Sequence, residues 1–243
     1  MRSELAAFRP LSARSVVLSL LLGAHPAELS AAALVHAGDL FEVPETTLRA
    51  ALSRMVTAGD LVRDGSTYAL SERLRERQRR QDAALDVETT VWDGSWEQVV
   101  ITSSGRSAQD RAELRATLAS LRLAELREGI WMRPANLARP LPTWSADLIS
   151  SFRATPDEDA AVLSRRLWDM HGWAADGRAL LDAMTGASTA REALTLNAAV
   201  VRHLRVDPVL PGDLQPARWP SEALRTAYDD YRSSLSASSV LAR

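Results

Sequence analysis

The 243-residue sequence contains no cysteine, which removes disulfides, thiolate metal ligands and cysteine nucleophiles in one step. It contains no lysine either: all 29 basic residues are arginine. Any phosphate contact must therefore be a guanidinium fork rather than an ammonium point charge. Aromatic residues are few, with three Phe and three Tyr. No apolar run reaches the roughly 18–20 residues needed to span a membrane. The apolar stretch Val16 to Ala24 runs into His25-Pro26-Ala27-Glu28 rather than a small-residue cleavage site, so a buried first helix is expected, not a signal peptide. These absences fit a cytoplasmic protein. What remains is ordinary for a globular chain: 46% hydrophobic, 25% charged and a net charge of −2.

Catalytic constellations are also missing. The histidines His25, His36, His171 and His203 include no pair at metal-ligand spacing. There is no phosphate-binding glycine loop and no nucleophile elbow. Asp157-Glu158-Asp159 reads as charge at a helix start, favoured by the helix dipole. No catalytic residue, metal or cofactor is expected, and the chain does not read as an enzyme.

Along the chain, Ser12 to Ala24 predicts a buried helix. Ser30 caps a second helix whose apolar face is Ala33, Leu34, Ala37, Leu40 and Phe41. Pro44 opens a third helix to about Ala58, with Leu48, Leu52, Met55 and Val56 on its apolar face and Gly59 as C-cap. Leu61–Arg63 and Ser66–Leu70, joined by Asp64-Gly65, predict a β-hairpin. Residues 71–85 form a charged linker helix. All seven Trp follow residue 90, a composition shift that places a boundary near 85–90. Beyond it, strands at 96–102, 129–133 (stopped by Pro134) and 147–153 surround a helix at 108–120 carrying Leu114, Leu118 and Leu121. The last region predicts helices at 156–169, 173–184, 191–205 and 222–235. The order reads as an α+β chain of three domains: a winged helix-turn-helix with linker over 1–85, a small α+β domain over 86–154, and a helical domain over 155–243.

The third helix has the make-up of a DNA reader. Opposite its apolar face lie Thr46, Thr47, Arg49, Ala50, Ser53 and Arg54. Short side chains allow close approach to the groove, and the arginines can fork onto guanine or phosphate. Thr46 and Thr47 sit at the N-terminus, where an anion is favoured. Arg63 with Ser66 and Thr67 forms a candidate wing over the flanking backbone. Residues 46–80 hold 8 Arg against 4 acids, so the positive charge is local although the chain is nearly neutral. The linker arginines read as a solvated face alongside Glu72, Glu76 and Asp82.

Several motifs carry a family resemblance. They are Ser12-Ala13-Arg14-Ser15, Thr47-Leu48-Arg49-Ala50-Ala51-Leu52-Ser53-Arg54-Met55, Trp92-Asp93-Gly94-Ser95-Trp96 and Gly129-Ile130-Trp131-Met132-Arg133-Pro134. Leu167-Trp168-Asp169, Asp207-Pro208-Val209-Leu210-Pro211 and Trp219-Pro220 follow in order. In these the chain resembles the PaaX family of bacterial transcriptional repressors over nearly its whole length. The resemblance implies a winged helix, a central ferredoxin-like domain and a C-terminal helical domain. It further implies a homodimer that binds double-stranded operator DNA, represses a catabolic operon of the phenylacetate type, and is released by phenylacetyl-coenzyme A or another coenzyme A thioester. Under that reading Trp131 and Trp168 are candidates to frame the acyl group, and Arg133, His171, Arg202 and His203 to meet its thioester or phosphates. The central region is also similar to ferredoxin-like CRISPR-associated nucleases, which place a metal-binding Asp at the end of their first strand. Here that strand ends Val100-Ile101-Thr102-Ser103. A metal-dependent nuclease and a protein-interaction module are the alternative functions.

Overall fold

The computed structural model describes residues 12–103, 105, 107–141 and 148–237. It combines helices with two antiparallel sheets, and the chain divides into two compact units. None of the described helices is long and apolar enough to cross a membrane.

The first unit contains residues 1–85, 177–204 and 221–243. It opens with α1 (Ala13–Gly23), capped by the Ser12 hydroxyl, which accepts from the Ser15 amide. A short strand β1 (Glu28–Ser30) leads directly into α2 (Ala31–Leu40). Ser30 does two jobs: its backbone pairs with Thr67, and its hydroxyl caps α2 by accepting from Ala33 N–H. Helix α3 (Glu45–Thr57) follows, with Pro44 as N-cap residue rather than as its first helical residue. Leu48, Ala51, Leu52 and Met55 are buried, as the helical spacing requires. Each of the larger three contributes about 1.5–3 kcal/mol of burial. Strands β2 (Leu61–Asp64) and β3 (Thr67–Leu70) form the predicted hairpin, and β1 adds to it in the order β1-β3-β2. The turn is Gly65-Ser66, one residue later than expected. Gly65 has φ +54 and Ser66 does not, the arrangement of a II′ hairpin turn with glycine at its first central position.

The core of this unit gathers Val17, Leu21, Leu34, Phe41, Leu48, Leu52, Met55, Leu61 and Leu70. Leu40, expected on the apolar face of α2, is instead 43% exposed; it is the last residue of the helix, and Phe41 beyond it turns inward. Helix α4 (Glu72–Leu85) is the predicted charged helix. It is more than a linker: Leu74 is in the core, and buried Gln78 donates its side-chain amide to the carbonyls of Leu21, Leu22 and Ala24 at 3.3, 3.0 and 2.9 Å. Those are C-terminal carbonyls of α1, which no helical amide can satisfy.

The second unit contains residues 86–176 and 205–220. Its sheet has the order β5-β6-β4-β7, from β4 (Trp96–Ile101), β5 (Ala124–Arg127), β6 (Ile130–Pro134) and β7 (Ile149–Ala154). All pairs are antiparallel. Helix α5 (Ala108–Ser120) joins β4 to β5 across β6. Pro134 ends β6 opposite Trp96, beyond the part of β6 that pairs with β5, so its missing N–H costs no ladder bond. Alternation splits the sheet into two cores. Val99, Trp131 and Ile149 pack with Leu114 and Leu118, while Trp96 and Met132 pack with Leu163, Met170 and Leu210.

Helix α6 (Ala160–Leu167) starts four residues later than expected, because Asp159 caps it by accepting from Val162 N–H. Helix α7 (Met170–Thr185) begins in the second unit and ends in the first. Helices α8 (Ala190–Leu204) and α9 (Ser221–Ala237) belong to the first unit. The expected C-terminal domain of residues 155–243 is therefore not a separate unit. Its helices divide because Leu194 and Tyr231 pack with the α1–α3 core, whereas Leu163, Leu210 and Trp219 pack with the central sheet.

Candidate nucleic-acid interface

Helix α3 is held on α1 and α2. The turn before it is tight: Val43 N–H donates to Gly38 O at 2.8 Å, and Leu48 N–H to Pro44 O at 2.9 Å. A Cβ on Gly38 would lie 3.3 Å from the Val43 carbonyl and 3.5 Å from Leu48, so this close helix–turn contact depends on glycine. The C-terminus closes as a Schellman motif, with Asp60 N–H donating to Met55 O and Gly59 N–H to Val56 O.

Thr46, Thr47, Arg49, Ser53 and Arg54 are all exposed on α3. Arg49 is not idle: its Nε donates to Glu45 Oε1 at 2.6 Å, an exposed i,i+4 pair. On the hairpin, Ser66 lies in the turn and its carbonyl accepts from Ala31 N–H at 2.7 Å. Thr67 is half-buried, because β3 is the central strand between Ser30 and Asp64. Arg63 folds back on its own hairpin, donating to Gly65 O at 2.9 Å and stacking over Tyr68 at 5.7 Å. Along α4, Arg79 and Arg80 pair with Glu72 and Glu76, which holds the Glu76 carboxyl below its ordinary pKa.

One residue at the base of this assembly gave no sequence signal. Asp60 is 4% exposed and binds Arg14 of α1 at 2.7 Å and Arg73 of α4. A buried acid after a helix-ending glycine looks like a loop residue until its partners, 46 and 13 positions away, are known.

Of the six expected effector residues, four belong to the second unit and two to the first. Trp131 is in the core beneath α5, with Arg115 over its ring at 5.7 Å. Arg133 is 0% exposed and engages the protein itself: Nε donates to Pro134 O, Nη1 to Pro208 O, and Nη2 to Asn136 Oδ1 and Val209 O. Burial pushes its pKa down to about 9 against the opposing pull of Glu97. Arg133 is thus a brace between β6 and the 207–210 segment rather than an exposed anion contact. Val209 needs that brace, since it has φ +49, a strained setting for a β-branched residue. Trp168 is half-buried on the opposite side of the sheet from Trp131, and His171 is exposed on α7. Arg202 and His203 lie on α8 in the other unit. A cleft of about 470 Å³ in the second unit is lined by Ile101, Arg111, Leu114, Arg115, Glu125 and Glu128, among others, and by none of the six.

Comparison with known proteins gives matches to two family descriptions. "PaaX-like protein" matches residues 12–74, and "PaaX protein central Cas2-like domain" matches residues 89–150. Among solved structures, the chain is similar to the uncharacterized protein Rv0674 from Mycobacterium tuberculosis. The two are 47% identical over 93% of this chain and 96% of that one, with a TM-score of 0.81. No curated protein matches the chain.

Proposed function

Because the chain belongs to the PaaX-like family, we propose that it is a transcriptional regulator that reads double-stranded DNA with α3. In this reading α1–α3 and the β1–β3 sheet act as a winged helix-turn-helix, and the Gly65-Ser66 turn is the wing. The central sheet, with its split β-α-β connection through α5, is ferredoxin-like. The observation that carries the proposal is α3 itself. A helix anchored by Leu48, Leu52 and Met55 presents Thr46, Thr47, Arg49, Ser53 and Arg54 to solvent, the residue types that contact base edges and phosphates.

The test is a gel-shift series on a duplex that the wild-type chain selects from a random-sequence pool. Arg49→Ala combined with Arg54→Ala is expected to abolish binding while leaving the circular-dichroism spectrum unchanged. Unaltered affinity would remove α3 as the reader.

The finer points rest on the family. The protein acts as a homodimer, with two α3 helices about one DNA turn, roughly 34 Å, or a multiple of it apart. It represses a catabolic operon and is released by an acyl-coenzyme A such as phenylacetyl-coenzyme A. For release, the ester must bind the DNA-free state more tightly; a tenfold effect needs about 1.4 kcal/mol of coupling. A thermal-shift screen against coenzyme A esters, followed by gel shifts with any that bind, checks this point.

A further inference from the structure

Between α3 and β2 stand only Ala58, Gly59 and Asp60. The joint is open: Gly59 has φ +69, and nothing lies within 4 Å of where its Cβ would be. Packing at the glycine therefore does not set the angle between the reading helix and the hairpin. The next residue is placed to do so. Asp60 N–H donates to Met55 O in the last turn of α3, and its carbonyl accepts from Ser71 N–H, adding one rung to the base of the β2–β3 ladder. Its two carboxylate oxygens go to different elements, Oδ2 to Arg14 of α1 and Oδ1 to Arg73 of α4. The carboxylate is 6% exposed, while the two arginine side chains are 55% and 68% exposed. The arginines thus contribute little to the core, and a buried charge is retained to meet them. A buried carboxylate left without such partners is strongly unfavourable, so the pairing holds all four elements in one geometry.

We infer that Asp60 is a positioning residue for DNA recognition. It locks the hairpin at a fixed angle to α3, so that wing and helix engage the same duplex together. This rests on the reading of α3 and the hairpin as the DNA-binding elements. Asn in its place keeps the backbone hydrogen bonds and the shape but loses the charge that two guanidinium groups require.

The experiment is a double-mutant cycle at a temperature where every variant is folded by circular dichroism, using the duplex selected by the wild-type chain. Asp60→Asn is expected to weaken binding at least tenfold. Arg63→Ala, on the wing, is expected to weaken the wild type severalfold but to have no further effect on Asp60→Asn. Arg49→Ala, on the helix, should weaken both backgrounds by the same factor. Equal losses from Arg63→Ala in both backgrounds would overturn the inference, because a general loss of stability leaves the wing's increment unchanged. Should Asp60→Asn not fold, Arg14→Gln and Arg73→Gln each break one fork and carry the same expectation.

Hydrogen exchange without DNA decides the point independently. Amides of Leu61–Leu70 are expected to exchange at least tenfold faster in Asp60→Asn, with those of Leu52 and Met55 changed less. A uniform change, or none, would also overturn it. If the wild type selects no duplex, the proposed function fails, while the exchange experiment still decides whether Asp60 holds the hairpin.

Discussion

Arg54 and Arg133 are the same residue in a chain without lysine, yet they occupy opposite environments. Arg54 stands exposed on α3, anchored only by the helix beneath it. Arg133 is sealed between β6 and the 207–210 segment, its guanidinium engaged by carbonyls and by Asn136. The five N–H groups of a guanidinium suit it to either fate. What decides is whether the chain can bring enough acceptors to replace water. Around Arg133 it does so with residues 75 and 76 positions away. Around α3, among the described residues, it brings Glu45 to Arg49, and in the proposed reading that exposed face meets the phosphates of DNA.

The sharpest way to test this contrast is Arg133→Ala. It removes the buried donor to the Pro134 and Pro208 carbonyls and to Asn136 Oδ1, while Val209 O keeps Asn136 Nδ2 at 3.1 Å and Glu97 keeps Arg139 at 3.1 Å. Denaturant titration should show a loss of about 3–5 kcal/mol, the range for removing one member of a buried charged network. A loss below about 1 kcal/mol would mean that water or a neighbour replaces the guanidinium. Arg54→Ala should do the reverse. Stability should stay within about 0.5 kcal/mol of the wild type. Binding to the selected duplex should weaken by about 1–3 kcal/mol, with the log–log salt slope reduced by about one if the contact is to phosphate.

Gln78→Leu probes a buried neutral donor between these extremes. It strips three carbonyls at the end of α1 and should cost about 1–2 kcal/mol in thermal denaturation. Affinity for DNA should be unchanged wherever the protein is folded. The smallest effect is expected from Glu45→Gln, which releases Arg49 from an exposed pair of little energetic weight. Binding to a random-sequence duplex should rise by roughly twofold, read by fluorescence anisotropy.

Elements with strong periodicity were legible before the structure. The buried face of α3, Gly59 at its end and the β2–β3 hairpin followed from helical spacing and turn chemistry. Strands β1 and β5 were not. β1 is three residues long and exists only because β3 lies beside it, while β5, as long as β2, reads Ala124-Glu125-Leu126-Arg127 with no β-branched or aromatic residue. The eight candidate DNA-contacting residues stood on elements that the sequence could define locally. The effector set was less tractable. Arg133 carries no local sign of burial, because two of its acceptors, the Pro208 and Val209 carbonyls, lie 75 and 76 positions away. Asp60 is hidden for the same reason, since its meaning depends on Arg14 and Arg73 converging from two other helices.

The first unit draws on residues 1–85, 177–204 and 221–243. Leu194 enters its core and Tyr231 packs against it, so part of this core stays uncovered while only the first 85 residues exist. During synthesis, which runs from the N-terminus, α3 and its hairpin emerge early but lack the support of α8 and α9. The intervening segment 86–176 is made in between, and the second unit in turn awaits residues 205–220, which supply Leu210 to its core and two acceptors to Arg133. A nascent or truncated chain would therefore carry α3, the proposed reading helix, on an incompletely covered core, and a chain translated through α9 would present it on a covered one.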